Sequence, residues 1–299
     1  MGPAVSAQSG IQKSKTSASK KTLGNFRRSR LDYLWLGAFF LTLIVLSQIF
    51  FPERSSPADR AFIEKSVNPF GWTSQAAIWA TSYGITFASL YGFTSILFFL
   101  MVQFFPGATP QTHVSDQMKA IRVNFALLAL MQTTFDYASV QWPTTKVTMG
   151  NLEPMIAFRD MCLWMTCFEL AWYTQHRAMH DVKFLWSFGH AYHHTWRKPE
   201  HMIGITNFAF DHVVEVWVTM SSSFLGYILF PTNYYVGKFI GFSYVIFAVL
   251  VHWDGFDFSR FHINHHYLVT KNYGSHFPFL DMFFGTYQWD KYEHPESLR

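Results

Sequence analysis

The sequence predicts an all-α, multi-span transmembrane helical bundle with a histidine-rich helical cap on one face. Three observations lead there. Half of the 299 residues are apolar and only 14% are charged, against about 25% in an average soluble domain. Such a chain lacks the charge to coat a water-facing surface. Four long apolar stretches recur along it, at 34–51, 76–105, 123–142 and 155–175, and two shorter ones follow at 213–230 and 234–251. Fourteen histidines are present, and most crowd into short motifs beyond the ends of those stretches.

Taken in order, residues 1–30 are rich in Ser and Lys and read as a disordered basic tail. Lys13, Lys15, Lys20, Lys21, Arg27, Arg28 and Arg30 precede the first acid, Asp32. A basic leader directly ahead of an apolar run reads as a cytosolic tail that sets membrane orientation, rather than a nucleic-acid arm or a cleaved signal. Residues 31–175 then hold about four spans. Stretch 34–51 is the cleanest, and 76–105 exceeds the span length and is expected to tilt. Asp136 interrupts the third stretch; Arg159, Asp160 and Glu169 interrupt the fourth. Charge inside a bilayer is costly and is usually paired, so Asp136 and Arg159 are expected as partners. Residues 176–299 form the histidine-bearing region. It includes a membrane hairpin at about 213–251, turned at Pro231-Thr232-Asn233. Helix is assigned throughout, since unpaired backbone cannot face lipid.

With the N-terminus in the cytosol, this topology puts seventeen Lys and Arg on the cytosolic side and four, Arg54, Arg60, Lys65 and Lys146, outside. That asymmetry obeys the positive-inside rule. It places every histidine motif on the cytosolic face. The two cysteines, Cys162 and Cys167, lie in an apolar stretch and read as small core residues, neither a disulfide nor a metal site. Trp164, Trp172 and Tyr173 read as lipid-facing packing.

His176 and His180 are four apart. His190, His193 and His194 form HAYHH, and His262, His265 and His266 form HINHH. His212 and His252 bracket the hairpin. On a helix, spacings of three and four share a face, so each cluster can aim two or three imidazoles at one point. Buried imidazoles need partners, and two metal ions would supply most of them at once. Nitrogen ligation suits zinc, copper, iron or nickel. A catalytic zinc needs three protein ligands, whereas His176, His180, His190, His193, His194, His212, His252, His262, His265 and His266 make five for each of two ions. That leaves each octahedral ion one open position and suits oxygen-activating iron. Arg177 stands where a zinc peptidase helix would carry its glutamate base.

These residues resemble the fatty acid hydroxylase/sterol desaturase superfamily. The resemblance rests on HRAMH, HAYHH, the later lone histidines and HINHH, followed by Asn272-Tyr273-Gly274 and Asp281-x-x-Phe284-Gly285-Thr286. It covers about 165–290. Glu169 and Tyr173 match an acid and a tyrosine that the family places before the first motif. His212-Val213-Val214-Glu215 lacks the family's proline, and His252-Trp253-Asp254-Gly255-Phe256-Asp257 is one residue longer than its counterpart. Leu280 replaces a usual tryptophan. The resemblance implies a non-haem di-iron centre on the cytosolic face of the endoplasmic reticulum. It implies a lipid substrate entering from the bilayer, dioxygen, and electrons from a separate b-type cytochrome or reductase. A sterol is the favoured substrate; fatty acyl and sphingoid chains stay open, as does hydroxylation against desaturation.

Glu169, Glu215, Asp254, Asp257, Asn272 and Asp281 are candidates to accept the second ring N–H of a ligand. Tyr173 and His276 join them as outer candidates. Two other function classes remain. A membrane zinc hydrolase would act without oxygen, and a metal transporter would distribute its histidines through the spans.

Overall fold

The computed structural model describes residues 18–50, 56–104, 114–141, 147–148, 153–196, 202, 213–253 and 256–289. Each apolar stretch of the sequence is one helix: α1 (Ala18–Phe50), α3 (Gln75–Phe104), α4 (Val114–Gln141), α5 (Pro154–Asp181), α7 (Val213–Leu229) and α8 (Tyr234–Val251). Between α1 and α3 lies α2 (Pro57–Val67), started by a capping box in which Ser56 and Asp59 satisfy each other's backbone N–H, with Pro57 in the first turn. After α5 come a single turn, α6 (Lys183–Leu185), a π-turn at Trp186–His190 and a 3-10 turn at His193–Thr195. The chain closes with α9 (Arg260–Leu268) and α10 (Phe279–Phe284).

Two features depart from the expected all-helical plan. Helix α1 begins at Ala18, so the second half of the leader continues the first span as helix instead of a disordered tail. Residues 147–148 (β1) pair in parallel with 232–233 (β2), Val147 opposite Thr232. This bridge holds the α7–α8 turn. The Asn233 side chain caps α8 by accepting from Tyr235 N at 2.9 Å, and Asn233 N donates to Asp160 at 3.2 Å.

Helix α5 is the organising element. It packs most extensively along α7, and also meets α1 and α8. Its inner face stacks Trp164 on Phe168 and Phe168 on Trp172, one turn apart, with ring centroids 5.3 and 6.0 Å apart. Trp164, Trp172 and Tyr173 are all buried, so they are core residues and not the lipid-facing packing expected. A ring every fourth residue on one stripe builds an interior seam. Cys167 is buried, but Cys162 is exposed, on the side of the helix opposite that stripe.

The charged residues in the helices pair differently from the expectation. Asp136 bonds Lys238 at 2.5 and 2.6 Å and accepts from Gln132 at 2.9 Å. Arg159 folds back onto its neighbour Asp160 at 2.7 Å. Proximity decides: α8 carries a cation against Asp136, and Arg159 has an acid one residue away.

Leu31–Phe50 and Tyr234–Val251 are long and apolar enough to cross a membrane, with mean hydropathies of 1.9 and 1.7. On α1 large apolar side chains are exposed around the helix, among them Leu34, Trp35, Leu41, Ile49 and Phe50. An exposed apolar surface of that extent marks an interaction surface, and its length and hydropathy suit a membrane.

Candidate metal centre

The histidines come from five places. His176 and His180 end α5, His190 closes the π-turn, His193 and His194 lie in the 3-10 turn, His252 caps α8, and His262, His265 and His266 line α9. They gather into two sets. His176, His180, His190, His194 and His265 offer nitrogens that all lie within 4.8 Å of one another, and so do those of His193, His252, His262 and His266. All of these residues are buried except His180, which is partly so. The sets touch: the rings of His194 and His266 are 4.5 Å apart.

The sequence motifs do not coincide with these sets. HAYHH gives His190 and His194 to the first and His193 to the second. HINHH gives His265 to the first and His262 and His266 to the second. Helical geometry explains the division on α9. At 3.6 residues per turn, positions i+3 and i+4 diverge by about 100° around the axis. His262 and His266, four apart, stay together, and His265 turns to the neighbouring set.

The hydrogen bonds fix the tautomers that matter. His176 Nδ1–H donates to the Tyr273 carbonyl at 2.8 Å, His265 Nδ1–H to Lys271 at 2.7 Å and His252 Nδ1–H to Ala248 at 2.7 Å. A carbonyl only accepts, so in the neutral rings each Nε2 carries a lone pair. Those lone pairs face other imidazoles. His252 Nε2 lies 2.9 Å from His262 Nε2, 3.1 Å from His266 Nε2 and 3.4 Å from His193 Nε2. One lone pair serves one donor, so three neighbours cannot all be hydrogen bonds. In the first set His190 Nε2 is 3.0 Å from both His176 and His194, and His194 is 3.1 Å from His265. Both ring nitrogens of His180 are shielded and lack a hydrogen-bond partner.

A cation fits such a donor set. Ligands ~2.1 Å from one ion sit ~3.0 Å apart at neighbouring octahedral positions and ~3.4 Å apart in a tetrahedron. The close pairs of the first set match the octahedral edge. Burial, first of all, holds His176, His180, His194, His252, His262, His265 and His266 well below the usual 6.5, and neighbouring imidazoles add to it. Burial lowers His190 to about 3. The rings are neutral at physiological pH, the form that binds metal.

Behind His176 lies a positioning network. The Asp281 carboxylate accepts from Tyr273 N at 2.8 Å, Gly274 N at 2.7 Å and the Thr286 hydroxyl at 2.6 Å. That clamp aims the Tyr273 carbonyl at His176. Burial raises the Asp281 carboxyl to about 6 against the pull of its three donors. The Asn272-Tyr273-Gly274 motif is thereby explained. Asn272 adopts φ +59, a region Asn tolerates, and its side chain bonds Phe261 O and Gln288 O at 3.0 and 2.7 Å. Gly274 leaves no room for a Cβ, which would sit 2.6 Å from Phe277 O and 2.9 Å from Asp281. Val269 at φ +64 ends α9, a strained choice for a β-branched residue, and the turn it makes leads to the Lys271 carbonyl under His265.

Of the outer candidates, none of Glu169, Asn272, Asp281 or Asp257 receives the Nδ1–H of His176, His252 or His265. Backbone carbonyls take that role. Glu169 instead accepts from Ser275 N, His276 N and His276 Nδ1 at 3.2, 2.6 and 3.0 Å, so His276 belongs to Glu169 and is in neither set. Tyr173 bonds Thr286 at 2.9 Å and receives Arg177 at 3.2 Å. The Asp257 side chain is 95% exposed beside Arg260 and holds no ligand; at the start of a helix it meets water and the basic residue three positions on. His212, His201 and Asp254 lie outside the described residues, as does the Glu215 side chain.

Sequence reasoning used Arg177 only against a zinc peptidase and missed its structural role, and it passed over Trp186. Arg177 joins Asp32 of α1 at 2.6 Å and Asp181 at 3.4 Å, bolting the first helix to the histidine-bearing one. Its position between His176 and His180 was the available signal, because it must face away from them. Trp186 packs on His180 and His194 at 5.0 and 5.3 Å.

Residues 161–286 match the family model described as fatty acid hydroxylase. Through this segment the chain is similar to that family, in line with the histidine motifs that resemble the fatty acid hydroxylase/sterol desaturase superfamily. The matched segment contains both histidine sets and the Asp281 clamp on the Tyr273 carbonyl. A relative named "Putative Delta(7)-sterol-C5(6)-desaturase 2", from Arabidopsis thaliana, is 22% identical over 152 residues, 48% of this chain and 54% of the relative. The match thus spans about half of that protein's length. No solved structure matches the chain.

Proposed function

We propose that this chain is a multi-pass, membrane-bound non-haem di-iron oxygenase that hydroxylates or desaturates a lipid, with a sterol as the favoured substrate. The observation that carries the reading is the convergence of lone-pair nitrogens in two adjacent sets, five imidazoles in one and four in the other. Five nitrogens exceed what a closed or catalytic zinc site takes, and His212 is the fifth ligand proposed for the second set. The family-model match supports lipid oxidation, and the name of the Arabidopsis relative favours a sterol.

A pair of iron ions bound there would supply the redox power to break an unactivated C–H bond with dioxygen, which acids, bases and nucleophiles cannot do. The chain's own residues do the rest. His176, His265 and His252 present fixed lone pairs because carbonyls hold their other nitrogens. Asp281 and Thr286 keep the Tyr273 carbonyl in place. The buried rings exclude water from the reacting space. The proposed topology has the N-terminus and both sets on the cytosolic face of the endoplasmic reticulum, where a separate b-type cytochrome or reductase would deliver electrons.

Lipid profiling by mass spectrometry of cells with and without the chain tests this. A lipid gaining one oxygen or losing two hydrogens, only in the presence of dioxygen, is the expected result. Hydrolysed lipid formed without oxygen would overturn it in favour of a zinc hydrolase.

A further inference from the structure

A cavity of about 610 Å³ lies between α5, α8 and the loop 275–279, within the ~300–1,000 Å³ range of small-molecule sites. Its outer end is apolar and open to the side. Phe158, Phe239 and Phe279 line it and are exposed; Phe158 and Phe239 lie on spans of the proposed topology, and Phe279 on its cytosolic side. Its inner end is different. There Glu169 and His276 line it together, and the His276 ring stacks on Phe247 with centroids 4.5 Å apart.

The inner end stops short of the imidazoles. Glu169 precedes His176 by seven residues on α5, about 10 Å along a helix. Between them Trp172 packs against Tyr244 of the cavity wall at 5.9 Å and against His176 at 5.3 Å. Its buried indole N–H has no hydrogen-bond partner, so the partition itself keeps an unused donor.

Charge selects what the cavity can take. Among the described residues no Lys or Arg lines it, and its only carboxylate is Glu169. A fatty acid or a phosphate-bearing lipid would find no Lys or Arg there to pair with. A neutral hydroxyl meets no such obstacle. His276 Nδ1–H donates to Glu169, which leaves Nε2 as the ring atom available to a lipid hydroxyl. We infer that this cavity binds the apolar body of a neutral lipid alcohol, with its hydroxyl on His276 and its oxidisable carbon turned toward Trp172 and the imidazoles. This rests on the oxygenase reading for its purpose but not for its test.

Cys162 lines the cavity and is exposed, whereas Cys167 is buried, so alkylation of Cys162 by N-ethylmaleimide reports occupancy without any metal. The full chain, metal-free in phosphatidylcholine nanodiscs, is alkylated with cholesterol or with oleate added, and the modified peptide is quantified. Cholesterol should slow the reaction at least tenfold, oleate should not, and His276→Phe should remove most of the protection. Filling the cavity with Ser243→Trp should abolish both protection and lipid oxidation. Equal protection by oleate, no protection by cholesterol, or unchanged protection in His276→Phe would overturn the inference. Oxidation that persists in Ser243→Trp would overturn the cavity assignment alone. Protection without any oxidation would instead count against the oxygenase reading alone.

Discussion

The two histidine sets are built from the same side chain and lie against each other, yet they are held differently. The first set draws on α5, the turns after it and α9. Its His176 and His265 are fixed by carbonyls of the loop 271–273, and Asp281 fixes that loop in turn. The second set leans on helix ends. His252 is fixed by Ala248, one turn back in its own helix, and His262 and His266 ride on α9. The first set is therefore pre-organised by a loop that the rest of the fold must position. The second is pre-organised by local helix geometry. The first already has five nitrogens; the second has four among the described residues.

The largest effects come from the ligands. His265→Ala or His193→Ala is expected to abolish lipid oxidation while the chain still inserts in membranes, with bound iron falling toward one ion per chain. Full activity in either variant would remove that residue from its set. His212→Ala sharpens the comparison: if His212 completes the second set, iron there weakens and the first set keeps its ion, as metal analysis after chelator challenge would read.

Asp281→Ala should act on the other side. It strips the partners from two buried amides, at about 1–3 kcal/mol each, and frees the carbonyl under His176. Loss of such outer partners typically costs ~10–100-fold in metal affinity. The prediction is that this loss falls on one ion only; equal loss of both would erase the distinction between loop-held and helix-held sets.

The smallest effect is one of pH on the metal-free chain. Burial keeps the ligand imidazoles neutral in the folded chain well below 6.5, to about 3 for His190, whereas the unfolded chain takes up protons below 6.5. Stability is then full above pH 6.5 and declines as pH falls from 6.5 toward those lowered values. The melting temperature of the metal-free chain should fall across that window, and bound metal should raise it at each pH near neutrality. A flat profile would mean the rings are not buried neutral.

Much of this was legible in the residues. Apolar runs gave every long helix, with both ends close for α3, α7 and α8. In contrast, α1 and α4 begin well before their runs, at Ala18 and Val114, because polar residues continue a helix that hydropathy alone does not mark. Histidine spacing gave the ligand candidates. It could not give their division into two sets, since HAYHH and HINHH each straddle both and only the orientation of each turn decides. Carboxylates were expected behind the ligands, but carbonyls stand there, and a carbonyl carries no sequence signal of its own. Asp281 was legible as a residue and not as a role: it acts one step removed, through the Tyr273 backbone. The Asp136–Lys238 pair was missed because the partners are 102 positions apart and only the packing of α4 on α8 joins them.

The most direct test of two adjacent iron sites is metal content measured together with chemistry. The full chain, reconstituted anaerobically with ferrous iron in lipid nanodiscs, is assayed by inductively coupled plasma mass spectrometry and then exposed to dioxygen and reductant. The account predicts two tightly held irons per chain and oxygen-dependent oxidation of a lipid, with His193→Ala and His265→Ala each holding about one. A single tightly held ion in the unmodified chain, or lipid turnover supported by zinc without oxygen, would contradict it.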